Sequence, residues 1–337
     1  MLMDIFDITV IGSGPSGLFG AFYAGLREMT CKVLETLPQA GGQLITLYPE
    51  KYIIDVPGFL KIQAKALAKN LYEQALSMGA VFRFNETAID LERKDGVYIL
   101  RTDRGEHFTK TVLITAGVGA IQPNKLGNQA IDRFEGRGVY YSVKSKEEFR
   151  GKRLLIIGGG DSALDWAYEL ATYAKHITLI NRRDVFRAHE YTVKKVKELG
   201  IDIRLSHEIK EAQGESHIEQ ATIYNNKTGE EDTIPVDAIL VFIGFKADLG
   251  PIKNWGMEIH GRQIKVNSRM ETSLPGVYAA GDVAYKPESV KLNLLVVGFA
   301  DVAIAVNSAK KFIEPSAPSY EHSTEIAERR LKIGLDV

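Results

Sequence analysis

Asp7-Ile-Thr-Val-Ile-Gly12-Ser-Gly14-Pro-Ser16-Gly17 reads as a buried strand running into a glycine-rich turn and then a helix. The next apolar run ends at Glu35, 23 residues beyond Gly12. Such a unit cradles a dinucleotide pyrophosphate: the glycines let backbone N–H groups approach the phosphates, and the helix N-terminus adds partial positive charge. A carboxylate at the end of the second strand accepts hydrogen bonds from ribose hydroxyls. The same pattern recurs at Arg153-Leu-Leu-Ile-Ile-Gly158-Gly-Gly160-Asp161-Ser162-Ala163, where a small residue stands for the last glycine. Its second apolar run ends at Asn181-Arg182-Arg183, and Arg182 lies 24 residues beyond Gly158. Read alone, this block is equally a solvated basic turn. In the place equivalent to Glu35 it suits a 2′-phosphate, with Arg182 and Arg183 as the clamp and Arg187 as a further contact. The chain is thus expected to hold two dinucleotides, one of them phosphorylated.

At 337 residues the chain is long enough for two domains. Its 42 basic and 43 acidic residues leave a net charge of −1, which favours neither nucleic acid nor a membrane surface as partner. No apolar stretch is long and uninterrupted enough to span a bilayer. The opening Met1-Leu-Met-Asp4-Ile-Phe-Asp7 carries no basic leader, so a cytoplasmic protein is expected. A single cysteine, Cys31, excludes an internal disulfide and any cysteine-only metal site, and no metal is expected. Beside the strand Lys32-Val-Leu-Glu35 it reads as a packed thiol.

The second fingerprint sits mid-chain, so its domain is an insertion. The expected fold is α/β: two Rossmann-like three-layer domains, the first from residues 1–117 and 278–337, the second from residues 118–277. Crossings are expected near residues 115–121 and 275–281. Ala64, Leu67, Ala68, Leu71, Ala75 and Leu76 are spaced as on a helix. Residues 88–95 and 97–102 alternate as strands around Lys94-Asp95-Gly96, and Val296 to Phe312 is a long apolar helix.

With these motifs, Gly41-Gly42-Gln43, Asp55-Val-Pro-Gly58-Phe59 and Thr272-Ser-Leu-Pro-Gly276-Val-Tyr-Ala-Ala-Gly281-Asp282, nearly the whole chain resembles the two-dinucleotide flavoproteins, and among them the thioredoxin-reductase-like group. The resemblance implies FAD at the first fingerprint and NADPH at the second. Gly12, Gly14, Ser16, Gly17, Glu35, Gly281 and Asp282 would serve FAD, and Gly158, Gly160, Asp161, Ser162, Arg182, Arg183 and Arg187 would serve NADPH. The helix after Asp282 would point its positive end at the flavin. Thioredoxin reductases carry a redox Cys-x-x-Cys just before the second fingerprint. In Gly138-Val-Tyr-Tyr-Ser142-Val-Lys-Ser145 serines stand at both places, and serine forms no disulfide.

Gln43-Leu-Ile-Thr-Leu-Tyr48-Pro49, Leu249-Gly-Pro-Ile-Lys-Asn-Trp-Gly256 and Glu321-His322-Ser323-Thr324 are similar to the ferredoxin/flavodoxin–NADP+ reductases of thioredoxin-reductase type. That resemblance implies a homodimer in which Tyr48 and His322 stack on the flavin. Otherwise Tyr48 is an ordinary core aromatic and His322 a solvated one. It also implies FAD contacts from Gln43, Asp55, Ala88, Ile121 and Thr324. The implied reaction passes hydride from NADPH to flavin N5, then single electrons to ferredoxin or flavodoxin, with no side-chain acid or base required. The alternatives are a diaphorase, a disulfide reductase working through an external partner, and a non-catalytic nucleotide-binding redox sensor.

Overall fold

The computed structural model describes residues 4–117, 119–290 and 292–318. The chain forms two compact units. The first takes in the described parts of Met1–Thr46, Tyr52–Ala120 and Ala247–Val337, and the second comprises Leu47–Lys51 and Ile121–Lys246.

The chain opens with β1 (Ile5–Ile11), α1 (Pro15–Leu26) and β2 (Cys31–Glu35), a strand–turn–helix–strand in which every residue of β2 is buried. Helix α2 (Ala64–Ser77) follows; it buries Ala64, Leu67, Ala68, Leu71 and Ala75 on one stripe and leaves Leu76 exposed. Strands β3 (Val81–Phe84), β4 (Ala88–Lys94), β5 (Val97–Thr102) and β6 (Glu106–Ile114) complete this stretch. β3, β2, β1 and β6 run parallel, whereas β5 pairs antiparallel with both β6 and β4. The chain changes unit within β7 (Ala120–Pro123).

The second unit is built on β8 (Val139–Tyr140), β9 (Arg153–Ile157), α3 (Asp161–Leu170), β10 (His176–Asn181), α4 (Glu190–Glu198) and β11 (Asp202–Leu205). An antiparallel excursion follows: β12 (His207–Gln213), β13 (Gln220–Asn225) and β14 (Glu231–Pro235). Strand β15 (Ala238–Val241) then returns to the centre, giving the all-parallel order β8-β15-β9-β10-β11. β15, and β9 after Arg153, are apolar and buried because helices or other strands cover both faces.

The chain leaves this unit within β16 (Phe245–Asp248), not near residue 277 as expected from sequence. Residues 249–277 belong to the first unit because their apolar side chains are buried there. Leu249, Ile252, Trp255, Met257, Ile264, Val266 and Met270 join the core that holds Ile8, Val10 and Val112. The Trp255 indole N–H donates to the Ile89 carbonyl at 2.9 Å. β17 (Val277–Ala279) then adds parallel to the C-terminal half of β6, Val277 facing Val112. α5 (Leu295–Ile313) packs on α1, and Gly20 leaves the room that Val302 fills. Two units built on parallel sheets with glycine-rich turns are the two Rossmann-like domains read from the sequence.

Among the described residues no helix is long and apolar enough to cross a membrane. No group of three or more His, Cys, Asp or Glu among them could hold a metal ion. Cys31 is buried, and burial pushes its thiol up to about 12.

Candidate functional site

In the first unit, the turn between β1 and α1 is shaped by close approaches. Gly12 has φ +97°, and a Cβ there would lie 2.8 Å from the Thr115 carbonyl oxygen. A Cβ at Gly17 would overlap the Gly12 carbonyl oxygen, so this glycine lets α1 seat against β1. Gly14 differs. Its φ of −67° and ψ of 178° are open to any residue, and a Cβ there meets nothing within 4 Å. The fold therefore does not require glycine at this position, and the open cradle fits a group brought in from outside. Gly14 is also the N-cap of α1, and no side chain caps the first turn. Its N–H groups suit an anion.

Around that turn the structure gathers most of the sequence-read residues. Glu35, 7% exposed, accepts from Ser13 N–H at 2.7 Å and Ser13 Oγ at 2.8 Å through one carboxylate oxygen. The other accepts from Leu37 N–H at 2.9 Å, leaving it lone-pair capacity for a ribose hydroxyl. Gly42 comes against Gly14, where a Cβ would stand 2.9 Å from the Gly14 Cα, and Gly117 lies beside the Gln43 amide. Ser16 Oγ fills the space where Gly281 and Gly298 carry no side chain, which joins α1, the Gly281–Val283 turn with Asp282, and the first turns of α5. Ala88 starts β4 two residues beyond Glu86, whose N–H donates to the Glu35 carbonyl at 3.0 Å.

Other expected residues do not join this group. Asp55 is exposed in the segment after Tyr52–Ile53. Tyr48, read as a flavin-stacking residue of the first domain, belongs to the second unit. Its ring packs against the cluster that includes Val143 and Phe149, and the Lys51 ammonium lies 5.4 Å above it. That segment is held by an ion pair between Lys51 and Asp165 and by the Lys146 N–H donating to Glu50 at 2.9 Å. Ile121 falls in β7, with its side chain outside the described residues, as are His322 and Thr324 altogether.

The second unit repeats the plan. Gly158 has φ +147°, and a Cβ there would overlap the Phe242 carbonyl oxygen, as Gly12 does with Thr115. A Cβ at Gly159 would overlap the Asn181 side chain, so glycine makes room for it. Gly160, the N-cap of α3, has ordinary backbone angles and open space where a Cβ would stand, and no side chain caps the helix. Asp161 and Ser162 follow, both exposed in the first turn. Asp161 Oδ1 accepts from His189 N–H at 2.9 Å, and Arg187 N–H donates to the Gly159 carbonyl at 2.6 Å. These bonds fasten the arginine block to the glycine turn. Arg182 and Arg187 are exposed and Arg183 half-buried. Ser142 and Ser145 flank the buried Val143 of this unit.

Sequence comparison agrees with this geometry. Residues 6–299 match the model of the family described as "Pyridine nucleotide-disulphide oxidoreductase". A "Ferredoxin--NADP reductase" of Metallosphaera sedula is 50% identical over 96% of this chain and 98% of its own length. Another, from Symbiobacterium thermophilum, is 48% identical over 96% of this chain and 97% of its own. Among solved structures, Lactococcus lactis thioredoxin reductase superposes with a TM-score of 0.79 at 27% identity, covering 91% of this chain and 99% of that one. FAD and NADP(H) are the cofactors these relationships carry, and both open cradles fit them. The chain therefore belongs to the pyridine nucleotide-disulphide oxidoreductase family and, within it, to the ferredoxin–NADP reductases of thioredoxin-reductase-like fold.

Proposed function

We propose that the first unit binds FAD, the second binds NADPH, and the chain moves electrons between NADPH and a small carrier, ferredoxin or flavodoxin. When bound, the flavin supplies the redox chemistry: it takes hydride at N5 and yields electrons one at a time. The single observation behind this reading is the pair of fingerprints whose middle glycines, Gly14 and Gly160, are left open by the fold.

The chain's own residues supply position and charge. The uncapped first turns of α1 and α3 each offer N–H groups to a pyrophosphate. Glu35 accepts from an adenosine ribose, and its negative charge repels a 2′-phosphate. Arg182 and Arg183 do the reverse, favouring NADPH over NADH. Ser142 and Ser145 remove the dithiol exit used by thioredoxin reductases, so electrons leave directly to a carrier. The first unit, in which the uncapped N-terminus of α5 would offer partial positive charge to the flavin, and the second, inserted between residues 120 and 247, divide the two cofactors between them. A homodimer, and ring stacking by Tyr48 and His322, rest on the resemblance.

Anaerobic stopped-flow of the purified protein with NADPH, followed by addition of ferredoxin or flavodoxin, tests the reading. Rapid flavin bleaching followed by carrier-dependent reoxidation is expected. Bleaching with no transfer to either carrier would leave an NADPH flavoenzyme with a different acceptor. No bleaching at all would remove the catalytic reading.

A further inference from the structure

The loop that carries the arginines is fastened from behind by the antiparallel excursion. Asn226, in the turn between β13 and β14, donates through Nδ2 to the Arg182 carbonyl at 2.9 Å and to Glu208 Oε1 at 2.9 Å. Ser206 N–H donates to the Arg183 carbonyl at 3.1 Å, and Asn226 N–H donates in turn to the Ser206 carbonyl at 2.8 Å. Both arginine carbonyls are therefore held by one small network.

The support is itself stiff. Asn225 Oδ1 accepts from the N–H groups of Lys227 at 2.9 Å and Thr228 at 3.2 Å, and Gly229, at φ +77°, closes the turn on the Asn225 carbonyl at 2.8 Å. Ser206 is buried and sits at φ +58°, a conformation its neighbours hold in place. Lys227 pairs with Asp184 at 3.0 Å, and that hydrogen bond holds the Asp184 carboxyl below the usual carboxylate range. The negative charge next to Arg183 is thereby turned toward the hairpin.

Two successive planar peptides whose carbonyls are both held fix φ and ψ of the residue between them, and with these its Cα–Cβ direction. Holding the carbonyls of Arg182 and Arg183 together thus sets the direction in which the Arg183 side chain leaves the backbone and limits the Arg182 side chain to rotation about its own Cα–C bond. Asn226 is exposed and lies 44 residues along the chain from Arg182.

We propose that Asn226 is a positioning residue for recognition of a 2′-phosphate: from the β13–β14 turn it fixes the peptide bearing Arg182 and so aims the arginine pair. The antiparallel hairpin then belongs to the machinery of cofactor choice. This rests on the reading of Arg182 and Arg183 as the phosphate clamp.

Calorimetric titration of the full chain with 2′,5′-ADP and, separately, with 5′-ADP tests it. In Asn226→Ala the affinity for 2′,5′-ADP is expected to fall about 5- to 10-fold while that for 5′-ADP changes less than about two-fold, the size set by losing one buttressing hydrogen bond. In turnover the same factor is expected in KM for NADPH, with kcat held. Asn226→Ser, which suits a turn but is too short to reach both acceptors, carries the same expectation. Arg182→Ala with Arg183→Ala is the comparison. If the arginine variant loses the preference for 2′,5′-ADP and the Asn226 variants keep it, the positioning role is wrong and the clamp stands. Equal weakening toward both ligands also overturns it, since that marks a merely structural residue. If the arginine variant keeps the preference, the clamp reading falls first.

Discussion

Gly14 and Gly17 lie three residues apart in one turn, yet alanine at the two positions should do opposite things. At Gly14 the backbone is ordinary and a Cβ meets nothing within 4 Å. Restricting the unfolded chain by Gly→Ala gains about 0.4–1 kcal/mol where the native angles allow it. Alanine is a poorer N-cap than glycine by a similar amount. The two effects offset, so Gly14→Ala apoprotein should unfold in urea within about 0.5 kcal/mol of the parent. Its methyl instead stands where the pyrophosphate approaches the α1 N–H groups. Losing one or two charge-assisted hydrogen bonds costs about 3 kcal/mol, or roughly 100-fold in affinity. At Gly17 the Cβ overlaps the Gly12 carbonyl oxygen, and forcing α1 off β1 should cost the apoprotein about 1–3 kcal/mol before any ligand is added. Urea unfolding of apoprotein, paired with FAD titration followed by flavin fluorescence, separates the two. Gly14→Ala that binds FAD within two-fold of the parent would refute the assignment of that cradle.

Three further outcomes are expected. Arg182→Ala with Arg183→Ala should raise KM for NADPH by about 10- to 100-fold with little change for NADH, as charge-assisted phosphate contacts are lost; initial rates with both nucleotides check it. Lys286 pairs with Asp301 on α5 at 2.7 Å, and the Asp301 side chain is only 6% exposed. Lys286→Met should therefore destabilise the protein by about 3 kcal/mol by stranding a buried carboxylate, and adding Asp301→Asn should recover part of that loss in urea unfolding. Cys31 has a thiol raised from 9.0 to about 12 in the folded protein. A raised value gives stability that is whole below pH 9 and is lost as pH rises through 12, about 1 kcal/mol of it by pH 10. Cys31→Ala should flatten that slope, and native Cys31 should resist thiol reagents until the protein unfolds.

What the sequence made legible was local. The fingerprint turns, the α2 stripe and the β4–β5 hairpin follow from neighbouring residues through periodicity and turn chemistry, and they lie within a residue or two of their expected bounds. The sequence pattern puts the return to the first unit some thirty residues late, near residue 277 where the structure has it at Ala247. The cause is that residues 249–270 carry no repeating pattern; their loyalty is fixed by distant partners such as the Ile89 carbonyl for Trp255. Tyr48 went to the other unit for the same reason, since the Lys51–Asp165 pair that holds its segment joins positions far apart in sequence. Asn226 is invisible in the sequence because its side chain donates to the Arg182 backbone carbonyl, a group every residue type presents alike.

Strand β6 is completed late in the life of the chain. Its N-terminal half finds β5 at once through a hairpin, but Val112, Leu113 and Ile114, paired with β1 on one side, wait for β17 on the other. By the time Val277 leaves the ribosome, the whole sequence of the second unit has been made and can fold as a body. Throughout that interval the growing first unit carries an apolar strand edge with no neighbour, the kind of edge that recruits other chains. That edge closes only when Val277–Ala279 arrive, so it is exposed for the whole time between the synthesis of β6 and that of β17.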